Sequence, residues 1–218
     1  MRMVIAGGHG QIALRLERLL AGRGDEAVGL IRNPEQAGDL ELAGARAVVC
    51  DLEAATVDEV AHALEGADVV VFAAGAGPDS GRDRKDTMDR DGAVLLADAA
   101  ERAGVRRFLM VSAMGADAAH EGDEVFDVYL RAKGAADDAI RARTGLDWTI
   151  LRPGRLTDAP GTGEVALSTS TGYGEVPRDD VAAVLHALAD SPASAGLTLE
   201  LITGPTPVDT AVRLAKTP

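Results

Sequence analysis

What this chain lacks narrows the field before any motif is read. Its 218 residues include a single cysteine, Cys50, so no internal disulfide can form. The chain opens directly on an apolar strand, so no signal peptide is expected, and together with the lone thiol this leads us to expect a reducing cytoplasm. No stretch approaches the roughly 20 apolar residues that span a bilayer, so no membrane partner is expected. Aromatic residues make up 3% of the chain, leaving few rings to recognise a large flat ligand. Positive charge is in deficit, with 22 Lys and Arg against 35 Asp and Glu and a net charge of −13. That balance repels a phosphate backbone and excludes general nucleic-acid binding, while allowing a local basic patch for one cofactor phosphate. The four histidines are scattered without acidic partners at ligand spacing, so no metal is expected. There is no internal repeat and no low-complexity segment.

What is there is organised around Met1 to Gly22. Met3, Val4, Ile5 and Ala6 form an unbroken apolar run, as a strand covered on both faces needs, and Gly7, Gly8 and Gly10 follow at once. From Ile12 the apolar residues fall at helical spacing, at Ile12, Leu16, Leu19 and Leu20, and Gly22 and Gly24 supply a stop. Strand, glycine turn and helix in that order make a pyrophosphate cradle. A turn without side chains lets the backbone approach the ligand, and a helix N-terminus offers unpaired N–H groups and a positive dipole end. The spacing is G-x-x-G-x-x-A at Gly7, Gly10 and Ala13, and the strand before it and the second strand after its helix distinguish it from a common tight loop.

Downstream, apolar runs alternate with helical patterns, as a doubly wound α/β sheet requires. Ala27 to Ile31 reads as the second strand, and Asn33-Pro34 as a helix start. Arg32 stands at the end of that strand, where an acidic residue would accept from the ribose of NAD. A guanidinium fork there matches a 2′-phosphate instead, so NADP(H) is the expected cofactor; the alternative is a plain surface arginine. Ala47 to Cys50 is a third strand, followed by Asp51 and Leu52 at the point beside the adenine, although Asp51 also suits an N-cap or a loop. A helix over about Thr56 to Leu64 leads to a fourth strand, Asp68 to Phe72. Ala73, Ala74 and Gly75 follow, small enough for a dinucleotide to cross closely. The loop from Gly75 to Lys85 is rich in Gly, Pro, Asp and Arg, and its Gly77 to Lys85 portion is a candidate lid. A long helix is expected over Asp86 to Ala103, a fifth strand over Arg107 to Val111, a loop over Ala113 to Asp123, a helix over about Glu124 to Arg143, and a sixth strand over Trp148 to Leu151. Arg152-Pro153-Gly154 then breaks the strand. Beyond it come a short strand at Glu164 to Ser168, Pro177-Arg178-Asp179-Asp180 preceding a helix that runs to about Ala189, a strand at Leu197 to Ile202 and a last helix at Pro207 to Ala215.

Tyr129 and Lys133 stand four residues apart, hence on one helix face. An ammonium one turn from a phenol favours phenolate and lowers the tyrosine pKa toward a range useful for exchanging protons with a carbonyl or alcohol. Lys133 can also hold the nicotinamide ribose, and Ser112, directly after the fifth strand, can hydrogen-bond the same substrate oxygen. Alone, Y-x-x-x-K often marks a solvated helix face; here serine, tyrosine and lysine coincide in the order a catalytic set needs.

The segments VIAGGHGQIA (4–13), LIRNPEQ (30–36), CDL (50–52), VVFAAGAG (70–77), FLMVSAMGAD (108–117), YLRAK (129–133), LDWTILRPGRL (146–156) and VPRDDVAAVL (176–185) together resemble an atypical short-chain dehydrogenase/reductase. The chain is similar to the NAD(P)H-binding proteins grouped with biliverdin and flavin reductases and with NmrA-like regulators. The resemblance implies a Rossmann-type doubly wound parallel sheet with a small C-terminal substrate region. One domain would cover residues 1–218, with a cofactor-binding core over 1–151 and the substrate side over 152–218. It assigns the pyrophosphate turn to Gly7, Gly10, Gln11, Ile12 and Ala13, the 2′-phosphate to Arg32, the adenine to Asp51 and Leu52, and the ribose side to Ala73, Ala74 and Gly75. Ser112, Tyr129 and Lys133 take the catalytic positions. Departures are Ala13 for the third glycine, His9 for the Thr or Asn common in the turn, and Ala113 where many relatives carry a second serine. The implied function is an NADP(H)-dependent oxidoreductase acting on a small carbonyl, quinone or flavin-like substrate, as a monomer or homodimer. The alternatives are a non-catalytic NADP(H) redox sensor and a nucleoside-diphosphate-sugar epimerase or dehydratase.

Overall fold

The computed structural model describes residues 1–77 and 80–215. β1 (Arg2–Ala6) runs through the glycine turn into α1 (Gln11–Arg23), which a left-handed Gly24 ends before β2 (Glu26–Ile31). A 3-10 turn at Pro34–Gln36, capped by the Asn33 side chain, leads into the short α2 (Ala37–Leu42). Next come β3 (Arg46–Val49), α3 (Val57–Ala63) and β4 (Val69–Phe72), with a Thr56–Glu59 capping box opening α3. One helical run then joins α4 (Arg82–Arg84), a π-helical stretch at Lys85–Gly92 and α5 (Ala93–Ala103). β5 (Arg107–Val111), α6 (Val125–Arg141) and β6 (Asp147–Pro153) follow. The chain finishes with β7 (Arg155–Thr157), β8 (Glu164–Ser168), β9 (Glu175–Pro177), α7 (Arg178–Ala189), β10 (Leu197–Thr203), β11 (Thr206–Pro207) and α8 (Val208–Leu214).

Nine strands stand in the order β11-β8-β10-β6-β5-β4-β1-β2-β3, and β7 pairs with β9 in a separate ribbon. From β3 to β6 every pairing is parallel, and the order reverses between β1 and β4, the point at which an open α/β sheet leaves a crevice at its carboxyl ends. This is the Rossmann architecture that the alternation of elements implies. The C-terminal residues extend the same sheet: β10 adds in parallel to β6, and β8 and β11 add antiparallel beyond it.

The apolar run of β1 serves two cores, because successive residues of a strand point to opposite faces. Met3 and Ile5 pack with Leu16 and Leu20 of α1 and with Val181, Leu185 and Leu188 of α7. Val4 and Ala6 pack with Val60 of α3, Leu96 of α5 and Ala136 of α6. Each fully buried Leu or Val contributes roughly 1.5–3 kcal/mol, which holds the strand ends in place as a rigid frame. None of the described helices is long and apolar enough to cross a membrane.

Three sequence expectations are corrected. The helix expected from Asp86 begins at Arg82, so residues 82–85 of the expected loop are helical; Pro78 and Asp79, on which the lid reading also depends, lie outside the described residues. Pro153 does not break β6. Its missing N–H would face β5, whose ladder with β6 ends at Leu151, and its carbonyl accepts from Met114 N–H at 3.1 Å. On α1, Leu19 is 40% exposed while Glu17 is fully buried.

Glu17 fits because β2 carries Gly29 opposite it: a Cβ there would lie 2.7 Å from Glu17 Oε1. Neither carboxylate oxygen has a hydrogen-bond partner among the described residues, and burial pushes its pKa up to about 8, against a weaker pull from Arg18. The unfolded chain ionises this group near its ordinary 4.5. Between those values the unfolded state releases a proton that the folded state keeps, so stability falls as pH rises across the window. Glu17→Gln should remove that slope and raise the unfolding free energy at pH 8 by on the order of a few kcal/mol. Urea titrations from pH 5 to 8 check this, and parallel profiles for the two proteins would refute it.

Candidate functional site

Gly7 turns the chain out of β1 with φ +80°, the left-handed region that other residues enter at a cost of about 1 kcal/mol. A Cβ there would also stand 2.6 Å from Ala74 Cα at the end of β4. Gly8 lies against β2 in the same way, with its would-be Cβ 2.6 Å from Gly29 Cα and its N–H donating to Leu30 O at 3.0 Å. Gly29 is part of this corner; a lone glycine inside an apolar strand is the sequence signal that marks it. Gly10 starts α1 with no side-chain cap, and the first turn holds no acidic residue. Leu14 N–H is bonded back to Gly10 O at 2.9 Å, so the N–H groups of Gln11, Ile12 and Ala13 precede the helical ladder. An uncapped 13-residue helix with its positive end unneutralised, facing a side-chain-free turn, fits a diphosphate. Around it, the Gln11 side chain is held by Arg15 Nη1 at 2.9 Å and Ala13 is buried in the core. His9 pairs with Asp39 of α2 at 2.7 Å.

Two cavities meet at this corner. The first, of about 310 Å³, runs over the ends of β2 and β3 and is lined by Gly7, Arg32, Asp51, Leu52, Ala73 and Arg84 among others. Arg32 is more than half exposed, and its Nη1 reaches Glu53 Oε2 at 3.3 Å. Glu53 is held more firmly by Arg84, at 2.6 Å, and by Thr87 Oγ1, which donates at 2.7 Å. The Arg84 hydrogen bonds keep its carboxyl below the usual range. The sequence reading missed both Glu53 and Arg84. One Asp51 oxygen accepts Glu53 N–H at 3.0 Å in an Asx turn, so the loop reading of Asp51 holds for that atom while the residue still lines the cleft.

The second cavity, of about 640 Å³, shares Gly10, Ala73, Ala74 and Gly75 with the first. Its walls bring together Ile12, Ser112, Tyr129 and Lys133, and add Lys85 and Asp89 from the π-helical stretch. Lys133 is buried, with Nζ 3.2 Å from Asp89 Oδ1, donating to Val111 O at 3.2 Å, and 5.2 Å from the Phe72 ring centroid. Asp89 is fully buried, and its other oxygen accepts Ala76 N–H at 3.3 Å. The charge that was to act on Tyr129 is therefore largely answered by a carboxylate. Lys133 Nζ lies 6.0 Å from the tyrosine ring centroid, over the ring. Burial raises the Tyr129 pKa, Lys133 opposes this, and Asp89 and Asp137 add to the rise. The net shift is upward, the reverse of the lowering expected from spacing, because desolvation outweighs the pull of Lys133.

Ser112 is nearly buried, and its hydroxyl has no geometrically complete hydrogen bond among the described residues. It lies close enough to Asp137, one turn beyond Lys133, to favour that carboxylate. Burial still raises the Asp137 pKa overall, although Arg152 holds it through contacts of 2.7 and 2.8 Å. In this arrangement Ser112 lines the cavity with its hydroxyl beside the buried Asp137–Arg152 pair.

A Rossmann sheet whose switch point opens on a glycine corner with a cavity to each side is the frame of a dinucleotide-binding protein. Residues 7–192 match the NAD(P)H-binding family, and the chain belongs to that family. YhfK of Bacillus subtilis, named an uncharacterized sugar epimerase, is 37% identical over 214 residues, covering 98% of this chain and 99% of that protein. A solved structure from Bacillus halodurans, provisionally named an NAD-dependent epimerase/dehydratase, is 38% identical with a TM-score of 0.90 over 98% of this chain and 99% of that one. ChuY, an anaerobillin reductase from Escherichia coli O157:H7, is 25% identical with a TM-score of 0.79, covering 93% of this chain and 97% of that one.

The titration of Tyr129 checks the electrostatics. The chain has two tyrosines, so in a Tyr173→Phe background the phenolate absorbance reports Tyr129 alone. It should appear above pH 10, and Lys133→Met should move it higher still, since the lysine is the group that lowers it. A phenol titrating at or below its ordinary value would show that Asp89 leaves the lysine charge unspent.

Proposed function

We propose that the chain is an NADPH-dependent reductase of a small carbonyl, quinone or flavin-like molecule, working in the cytoplasm on a free substrate. The observation that carries this reading is the position of Tyr129 on the wall of a cavity that opens onto Gly10 and Ala73 to Gly75, the same residues that border the cleft over β2 and β3. In this reading the diphosphate lies on the α1 N-terminus, with the adenosine end over Asp51 and Leu52 and the nicotinamide end beside Tyr129. Arg32, largely uncommitted, and Arg84 on the same cleft favour a 2′-phosphate. Glu53 is turned onto Arg84 and Thr87, so it is a poor acceptor for a free ribose hydroxyl.

When bound, the reduced nicotinamide supplies hydride to the substrate carbon. Tyr129 delivers its proton to the substrate oxygen and regains one from water, so a carbonyl becomes an alcohol by the gain of two electrons and two protons' worth of hydrogen. Ser112 donates to the same oxygen and orients it. Lys133, fixed by Asp89 and the Val111 carbonyl, holds the nicotinamide ribose and meets the phenolate as it forms.

Loss of NADPH absorbance across a panel of aldehydes, quinones and flavins tests the assignment. Tyr129→Phe should lower kcat by about 100-fold or more, as for removal of a general acid, with NADPH affinity unchanged. Arg32→Asp should weaken NADPH relative to NADH by about tenfold or more. Tight NADPH binding without consumption, the same in the Phe variant, would make the protein a redox sensor instead.

A further inference from the structure

We propose that the cavity beside Tyr129 is built for a planar substrate that carries a carboxylate or other oxyanion, with Lys85 as the residue that recognises the charge. This deepens the reductase reading and rests on it in taking the cavity as the place where substrate binds.

Lys85 is only 5% exposed and lines the cavity, and among the described residues no carboxylate forms an ion pair with it. Its Nζ donates to Gly77 O at 2.6 Å and stands 5.6 Å from the Tyr129 ring centroid. An ammonium has three donors, so one carbonyl leaves hydrogen-bonding capacity unspent. Among the described residues, the nearby acids are committed elsewhere. Asp89 serves Lys133 at 3.2 Å and Ala76 N–H at 3.3 Å, and Asp86 pairs with Arg90 at 3.2 Å. A buried cation with no counter-charge among the described residues is costly, and it is conspicuous in a chain whose net charge is −13. A ligand bringing its own negative charge would remove that cost.

The mouth of the pocket is aromatic. Phe126 is 64% exposed and stacks on Tyr129, with ring centroids 5.9 Å apart and planes at 29°. Of three phenylalanines and two tyrosines in the chain, two of these five rings stand together at this one mouth, next to a 41% exposed Val125. An exposed aromatic lip over an otherwise ring-poor protein suits a flat ligand, whose anionic edge then reaches Lys85.

The test is direct binding to the NADP⁺-loaded protein by calorimetry, so that the cofactor's own phosphates are already in place. The probes are matched pairs of equal shape: 2-naphthoate with 2-naphthamide, and 1,4-naphthoquinone-2-sulfonate with 1,4-naphthoquinone. The charged member of each pair should bind about tenfold tighter or more. Lys85→Gln, which keeps an N–H donor and loses the charge, should bring the pair to within about twofold, whereas Lys85→Arg should keep most of the preference. Phe126→Ala should weaken both members by a similar factor. Equal affinity within the pairs, failure of every probe to bind, or a charge preference that survives Lys85→Gln overturns the proposal. So does a Lys85→Gln variant that loses NADP⁺ affinity instead, which would make Lys85 a cofactor ligand. Charge-dependent binding with no NADPH consumption for any probe would remove the reductase reading and leave the anion site standing; reduction without charge preference would do the reverse.

Discussion

Everything at the functional end of this molecule depends on how closely three backbone segments approach one another. Gly7 presses against Ala74, and Gly8 against Gly29, at distances that leave no room for a Cβ on either turn residue. These contacts fix the β1–α1 corner simultaneously to the ends of β4 and β2, the two neighbours of β1 in the sheet. The helix N-terminus is thereby aimed across the crevice at the switch point, and both cavities take one wall from the same few residues. Close approach is a steric condition with no compensating interaction available, so the geometry is held by what the residues lack.

The second constraint is the burial of charge. Lys133 and Asp89 form an ion pair that is almost wholly out of water, and Arg152 with Asp137 lies one turn further along α6. Removing charges from water costs several kcal/mol per ion, which such pairs barely recover by mutual attraction. Their value here is positional. A paired and hydrogen-bonded Lys133 cannot swing, and Val111 O ties it to the end of β5, directly before Ser112. The π-helical stretch contributes to the same end, since it brings Asp89 to Lys133 and Lys85 to Tyr129 from one segment.

Much of the frame was legible in the sequence because its signals are local. Apolar runs of four or five residues mark β1, β4 and β5, a glycine cluster marks the corner, and Gly24 and Gly104 in left-handed conformation end α1 and α5. β8 was legible over the same residues, whereas β7 and β9, three residues each, carry too short a pattern and depend on each other for pairing. The site was legible as a set of positions and less so as chemistry. Spacing alone puts Tyr129 and Lys133 on one helix face, but it says nothing of Asp89, forty-four positions earlier, which absorbs the lysine charge. Likewise helical spacing groups Leu19 with Ile12, Leu16 and Leu20, and Glu17 is buried while Leu19 is not because Gly29 opposite Glu17 lacks a side chain. Desolvation is a property of neighbours, and neighbours are supplied by the fold.

The two ends of the groove repeat one electrostatic pattern. Over β2 and β3, Arg32 and Arg84 share the single carboxylate of Glu53; beside Tyr129, Lys85 and Lys133 stand with the single carboxylate of Asp89. In each case the carboxylate lies nearest one cation, Glu53 to Arg84 at 2.6 Å and Asp89 to Lys133 at 3.2 Å, and the other cation borders the cavity with less of its charge answered. The committed cation stiffens the wall, and the remaining one keeps hydrogen-bonding capacity toward the cavity, although over β2 and β3 Asp51 lines the same cleft and offsets its charge. On a chain whose net charge is −13 these cations are local departures from the surrounding sign. In the proposed function the acidic exterior discourages polyanions such as nucleic acid, and the uncommitted cations admit a small anionic ligand that can enter the cleft.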